Sequence, residues 1–214
     1  MRSVHAERDT TTKQRMSMSN GTLSKIAAKT AAEVCQRFPV GEEARKLLRD
    51  DLSPSHYLTA LMEHQLHLDA IRFLAHALPK REAVWWACCC ARRAHGSACP
   101  AAADAALRAA EKWLADPSED NRRATMPAAE KAGLGDPAGC AAAACFWSGG
   151  SLAPPELPAV PPGEHLTAHG VAGAVMLAAV LGEPAQVTEK HRQFLTLGQE
   201  VASGVNRWKE STSR

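Results

Sequence analysis

The chain has few aromatic side chains and little valine or isoleucine. Aromatic residues make up 5% of its 214 residues, with five tryptophans and a single tyrosine, Tyr57. This composition disfavours a large β-sheet, because β-branched and aromatic residues dominate strands. The commonest residues, Ala and Leu, are strong helix formers instead. The sequence therefore predicts an all-α protein of single-domain size.

The sequence also lacks the features of a membrane, secreted or nucleic-acid-binding protein. The longest apolar stretch, residues 170–181, is shorter than the roughly 20 residues that cross a bilayer, and no signal-peptide pattern is visible. A net charge of +2 disfavours a dedicated nucleic-acid binder. The seven cysteines suggest no disulfide framework, so reduced thiols are expected. We therefore expect a cytoplasmic protein that neither spans a membrane nor binds nucleic acid.

Three segments differ in composition along the chain. Residues 1–21 are charged and rich in Ser and Thr, so they lack apolar side chains to offset the entropy of ordering. They predict a disordered leader, and residues 209–214 predict a disordered tail. Residues 22–208 predict one helical domain, whose first helix begins near Thr22 and whose last helix ends near Trp208.

Apolar side chains recur at helical spacing through this domain and predict about eight to ten helices. The segment from Lys80 to His95 is apolar on most of its surface, which is typical of a central helix. Pro127 lies inside a helical pattern, so one helix and two short helices both fit there. The Pro-rich residues 154–162 predict an extended crossing. Stacked helical hairpins are one arrangement of such a chain.

The histidines and cysteines form no recognisable metal motif. His64 and His67 are three residues apart, but no H-E-x-x-H, C-x-x-C or C-x-x-C-H motif is present. The consecutive Cys88, Cys89 and Cys90 cannot jointly chelate one ion, and cysteine is among the most often buried residues. We therefore predict no metal site and no cofactor.

Residues 146–151 carry the pattern closest to a catalytic motif. Ser148 is followed by two glycines, as a nucleophile on a tight turn would be, but there is no G-x-S-x-G and no preceding strand. A glycine helix stop with capping serines explains the same residues. The sequence therefore predicts no catalytic residue and a structural junction formed by Phe146, Trp147, Ser148, Gly149, Gly150 and Ser151.

Tryptophan supplies most of the aromatic surface. Trp85 and Trp86 are adjacent, so on a helix they project about 100° apart and cannot both enter one narrow buried stripe. One of them is a candidate for a groove or partner surface, where tryptophan is enriched. Arg92 and Arg93 belong to the same segment. We take Trp85, Trp86, Arg92 and Arg93 as candidate partner-binding residues, with core packing as the alternative for the tryptophans.

Three sequence strings carry a family resemblance. FLAHALP at 73–79, REAVWWA at 81–87 and FWSGGSLAPP at 146–155 resemble an uncharacterised family of small bacterial helical proteins. The likeness extends roughly over residues 44–208. Members of that family resemble accessory proteins encoded near type VI secretion genes. The resemblance implies a secretion-related partner and carries over no catalytic residue.

Together these features favour a non-catalytic interaction protein. We expect a cytoplasmic adaptor or chaperone-like accessory factor of a type VI secretion system, whose partner is another protein such as an effector or spike component. Two alternatives stay open. One is an enzyme of unknown class with a site around His76, Glu82, Ser148 and Ser151, which a polar cleft would favour. The other is a small-ligand-binding helical domain, which an enclosed apolar cavity would favour.

Overall fold

The computed structural model describes residues 23–205, and every regular element among them is helical. This confirms the predicted all-α fold and the predicted number of helices. The α-helices of the described range are α1 (Ala31–Cys35), α2 (Glu42–Leu47), α3 (Pro54–Glu63), α4 (His67–Ala77), α5 (Lys80–His95), α6 (Ala101–Ala115), α7 (Glu119–Ala132), α8 (Pro137–Phe146), α9 (Leu166–Val180) and α10 (Val187–Ala202). Two short 3-10 helices cover Gly96–Ala98 and Pro184–Gln186.

The two ends of the chain lie outside the described range. The predicted leader, residues 1–21, and the predicted tail, residues 209–214, therefore stay predictions. Within residues 23–205, no helix combines the length and the hydropathy that crossing a membrane requires.

Two helices of the described range, α3 and α8, begin where a capping side chain precedes a proline. Ser53 Oγ accepts a hydrogen bond from the backbone N of His56 at the start of α3, whose first residue is Pro54. Asp136 accepts one from the backbone N of Ala138 at the start of α8, at 2.8 Å. A proline at the first helical position removes only an amide that has no partner within the helix. These starts follow from local sequence alone.

The proline inside α7 does not divide the helix. Pro127 is exposed, while Thr125 and Ala129 on either side of it are buried. The helix is continuous from Glu119 to Ala132, and its packing against α6 and α8 offsets the loss of the amide at Pro127. The segment therefore forms one helix, which is one of the two arrangements that the sequence allowed.

The first and last helices are shorter than predicted. α1 begins at Ala31, where Thr30 accepts a hydrogen bond from the backbone N of Glu33, and not near Thr22. α10 ends at Ala202 because Gly204 adopts a positive φ of 82° and closes the helix end. The apolar periodicity continued through both ends, but capping geometry decided where the helices stop. Trp208 lies outside the described residues.

The helix α5 occupies the centre of the fold, as its all-round apolar surface predicted. It packs against α6, α8, α9 and α10. Trp86 is fully buried and donates its indole N–H to the backbone oxygen of Phe194 in α10, at 2.7 Å. Gly198 makes this close approach of α10 feasible, since a Cβ there would lie 2.5 Å from Leu74 Cδ2 and 2.8 Å from Trp86 Cε2.

The segment after α8 forms a folded loop, where its prolines predicted an extended crossing. A turn is closed by the hydrogen bond from Leu157 N to Pro154 O, at 3.1 Å. The loop then returns, and Leu152 N donates to Val160 O at 2.8 Å. One hydrogen bond closes the turn and the other joins the two ends of the loop, and together they override the extended preference of the prolines. Beyond it, α9 packs closely on α8, where Gly170 contacts Ala144.

Candidate functional site

An open groove with a volume of about 840 Å³ runs along α5, α6 and α10. Each helix contributes residues spaced four apart, which places them on one helical face. These pairs are Trp85 and Cys89 from α5, Arg108 and Lys112 from α6, and Leu197 and Val201 from α10. The groove is thus built by helices that are already packed on the core.

A smaller hollow of about 250 Å³ adjoins this groove beside Trp85. The two share Trp85, Val201 and Val205 in their walls, so the Trp85 indole lies between them. An ion pair from Lys25 Nζ to Glu82 Oε1, at 3.6 Å, lines the small hollow. Together the two hollows make one elongated surface, which we call the Trp85 groove.

An arginine–carboxylate network supports the wall formed by α5 and α6. Arg92 donates two hydrogen bonds of 2.8 Å to the carboxylate of Glu111 and a third to Asp104. These bonds raise the pKa of Arg92, the one to Glu111 most, and the bond from Arg92 lowers the pKa of Asp104. Arg108 also bonds Asp104, at 2.7 Å. Arg92 therefore ties the two helices together and is already neutralised.

Two other cations of the larger hollow have no carboxylate partner among the described residues. Arg93 and Lys112 are exposed, and neither forms an ion pair with any other residue between 23 and 205. Both line the larger hollow. The groove consequently combines an apolar floor at Trp85, Leu197 and Val201 with positive charge that is available to a partner.

The thiols in the groove are poor nucleophiles. Burial raises the pKa of Cys89 to about 12 and raises the pKa of Cys88 well above its usual value. A thiol is reactive as its thiolate, so neither side chain is activated at neutral pH. All seven cysteines are free, and these two contribute apolar packing surface to the groove.

The four partner-binding candidates do not lie together on one surface. Trp85, Arg92 and Arg93 line the groove, and Trp85 is half-buried there. Trp86 projects from α5 towards α10 and is fully buried in the core. It therefore does not belong to the candidate partner surface. The sequence-based prediction missed the residues of α6 and α10 that complete the groove, above all Lys112 and Leu197. The spacing of residues within one helix does not indicate which helices pack beside it.

Residues 146–151 end α8 with a series of backbone oxygens that accept side-chain hydrogen bonds. The Trp147 oxygen accepts from Thr167 Oγ1 at 2.8 Å, and the Ser148 oxygen accepts from Lys80 Nζ at 2.9 Å. Gly150 has a φ of 62°, and a Cβ there would lie 2.6 Å from Arg122 Nη2. The Ser148 hydroxyl itself makes no hydrogen bond with residues 23–205.

The centre of this junction is the buried side chain of Arg122, which sequence analysis did not single out. It donates to the backbone oxygens of Phe146 and Ser151, and its guanidinium lies 4.6 Å from the centre of the Phe146 ring. Glu119 receives two further bonds, of 2.6 and 2.7 Å, and this contact lowers the pKa of Glu119. An arginine three residues after an acidic first-turn residue was the available signal, but such pairs are usually solvent-exposed.

The hypothetical catalytic set does not converge. Glu82 pairs with Lys25 in the groove, Ser151 Oγ accepts backbone hydrogen bonds within its own loop, and His76 lies in the core. Among the described residues, no hydrogen bond or ion pair joins any two of His76, Glu82, Ser148 and Ser151. Nucleophilic catalysis needs a base within hydrogen-bond reach of the nucleophile, and no residue between 23 and 205 forms a hydrogen bond with the Ser148 hydroxyl.

A histidine cluster lies where α4 meets α9. The His76 ring stacks on Phe38 at 4.8 Å between centres, and the rings of His169 and His165 lie 5.1 and 5.8 Å away. His76 Nδ1 bonds the backbone oxygen of Arg72 at 2.8 Å, while its Nε2 is buried without a hydrogen-bond partner. Burial, more than the neighbouring positive charges, lowers the pKa of His76 to about 4.

A second histidine pair lies at the other end of α4. The rings of His67 and His191 are 6.0 Å apart, and His191 Nε2 is also buried without a partner. Burial lowers the pKa of both side chains. Between residues 23 and 205, no three His, Cys, Asp or Glu side chains are arranged to hold a metal ion.

A known protein family matches most of the helices described here. Residues 57–202, from α3 to the end of α10, match the family described as "Family of unknown function (DUF6931)". The chain belongs to this family. The matched range contains both the Arg122 junction and nearly all of the Trp85 groove, and it agrees with the resemblance to an uncharacterised helical family. Comparisons with curated proteins and with solved structures found no match.

Proposed function

We propose that this DUF6931 protein is a non-catalytic interaction protein that holds a segment of another protein in the Trp85 groove. The observation that carries the proposal is the groove itself, an open channel with an apolar floor, charged walls and a half-buried tryptophan in the middle of its length. Tryptophan in such a position is typical of residues that dominate binding energy. Because the three wall helices are fixed by core packing, the groove is pre-organised and binding orders few side chains.

The cellular role that we propose is that of a cytoplasmic adaptor or chaperone-like accessory factor of a bacterial type VI secretion system. The resemblance of the strings at 73–79, 81–87 and 146–155 supports this assignment. The partner is then an effector or a spike component that carries an apolar segment. An open groove also suits a polypeptide better than a small ligand, which is normally enclosed on most of its surface.

A photo-crosslinking experiment in the native bacterium tests the proposal. A photoreactive amino acid replaces Lys112 on the groove or, as the control, Lys131, which is exposed on α7 and lines neither hollow. We expect position 112 to capture a secretion component that position 131 does not capture. Trp85→Ala in the same background should abolish the product, since loss of a tryptophan anchor costs about 2 kcal/mol or more of binding.

A matched surface variant separates loss of binding from loss of folding. Leu134→Ala removes an exposed apolar side chain in the turn between α7 and α8, away from the groove. It should leave the crosslink unchanged, and both alanine variants should keep the far-UV circular dichroism of the parent. Equal crosslinking at 112 and 131, or a product at 112 that survives Trp85→Ala, would overturn the proposed groove.

A further inference from the structure

The chemistry of the Trp85 groove also specifies its occupant, and this inference rests on the function proposed above. We infer that the groove binds an acidic amphipathic helix of about three turns. The apolar face of that helix would cover Trp85, Leu197 and Val201, and its acidic residues would pair with Arg93 and Lys112.

The shape of the groove favours a helix as occupant. Its lining includes Arg81 at one end of α5 and Arg93 at the other, and this distance corresponds to about 18 Å at the helical rise. A partner helix of about 12 residues has the same length. Among residues 23–205 there is no β-strand whose edge could pair with an extended peptide, so recognition by strand addition has no template there.

The apolar side chains of the floor follow helical spacing. Leu197 and Val201 are four residues apart on α10, and Trp85 faces them from α5. A partner with apolar residues at positions i, i+3 or i+4, and i+7 can therefore bury them along one continuous line. Ala115 at the edge of α6 leaves room for a bulky side chain of the partner.

The distribution of charge favours an acidic partner. The lining of the larger hollow contains four cations, Arg92, Arg93, Arg108 and Lys112, and two carboxylates, Glu111 and Glu200. Arg92 and Arg108 already bind acidic side chains of the same protein. Arg93 on α5 and Lys112 on α6 form no ion pair within the described range, and they are exposed. Acidic side chains along the occupant would satisfy both cations, whereas a basic occupant would be repelled.

The test uses the full chain and two designed 14-residue peptides that differ only in charge. Both place leucine at i, i+3 or i+4, and i+7, and one has glutamate where the other has lysine. We expect the glutamate peptide to bind, measured by fluorescence anisotropy, and the lysine peptide to bind much more weakly. The double variant Arg93→Glu with Lys112→Glu should weaken the glutamate peptide about tenfold or more and reverse the preference.

Two controls make the outcomes distinct. Arg49→Glu with Lys131→Glu changes the net charge equally at exposed positions outside the groove, and it should leave both affinities unchanged. A single-stranded DNA oligonucleotide tests whether the cations serve a nucleic acid instead. Tighter binding of this oligonucleotide, lost in the groove variant, would overturn the inference in favour of a nucleic-acid partner.

The remaining results separate the partner chemistry from the proposed function. Equal binding of both peptides that is lost with Trp85→Ala would overturn the acidic partner and leave a groove that binds polypeptides. Binding of neither peptide would overturn both proposals. If the Arg93→Glu, Lys112→Glu variant still preferred the glutamate peptide, residues other than Arg93 and Lys112 would cause that preference. This result would also overturn the inference.

Discussion

The sharpest test of the fold concerns the buried guanidinium of Arg122. Replacing Arg122 with methionine keeps a long apolar stem but removes every hydrogen bond that the side chain donates. The affected groups are the backbone oxygens of Phe146 and Ser151 and the carboxylate of Glu119. The substitution therefore probes whether this side chain holds α7 to the end of α8.

The expected loss follows from the surroundings of each group. The Phe146 residue is buried, so its oxygen cannot recover water, and an unpaired buried acceptor costs about 1–3 kcal/mol. The Glu119 side chain is 49% exposed and rehydrates readily, so its lost ion pair is worth at most about 1 kcal/mol. The lost contact with the Phe146 ring adds about 0.5–1 kcal/mol. We expect Arg122→Met to lower the free energy of unfolding by about 3 kcal/mol.

Urea unfolding followed by far-UV circular dichroism measures this loss, with Arg123→Met as the matched control. Arg123 also contacts Glu119, at 2.8 Å, and donates to the Ala153 oxygen, but it is only half-buried. Its replacement should cost about 1 kcal/mol. If Arg122→Met cost less than its control, or less than about 1 kcal/mol, the buried guanidinium would not hold the junction together.

Three further predictions concern other parts of the fold. The folded-state pKa of His76, about 4, lies below the unfolded value of 6.5, so the unfolded chain binds more protons between these values. Stability should therefore fall by about 3 kcal/mol as the pH decreases from 6.5 to 4, and His76→Gln should remove this part of the pH dependence in urea unfolding. Gly198→Ala should lower the melting temperature, since overpacking against Leu74 costs about 1–3 kcal/mol; an increase would contradict the close approach of α10. Ser148→Ala should change stability by less than about 0.5 kcal/mol, because its hydroxyl makes no hydrogen bond with residues 23–205; a larger loss in thermal unfolding would contradict this expectation.

The candidate site was only partly predictable from the sequence. The angle between adjacent helical residues showed that Trp85 and Trp86 cannot share one narrow stripe, but it could not tell which of them faces the core. The choice follows from the position of α10, where the oxygen of Phe194 accepts the Trp86 indole N–H. In the same way, Arg122 stands beside Arg123 in the sequence, and only the end of α8 makes one of them the buried anchor.

The sequence by itself determined the class of this protein and most of its helix starts. Its composition excluded a large sheet. Caps such as Ser53 and Asp136 act within a few residues, so the helix starts that they form can be predicted from the sequence. The tertiary structure decided that α7 continues through Pro127, and it brought Trp85, Lys112 and Leu197 to one groove. Contacts between distant segments depend on how whole helix faces pack, and the periodicity of one helix does not identify the helix that packs against it.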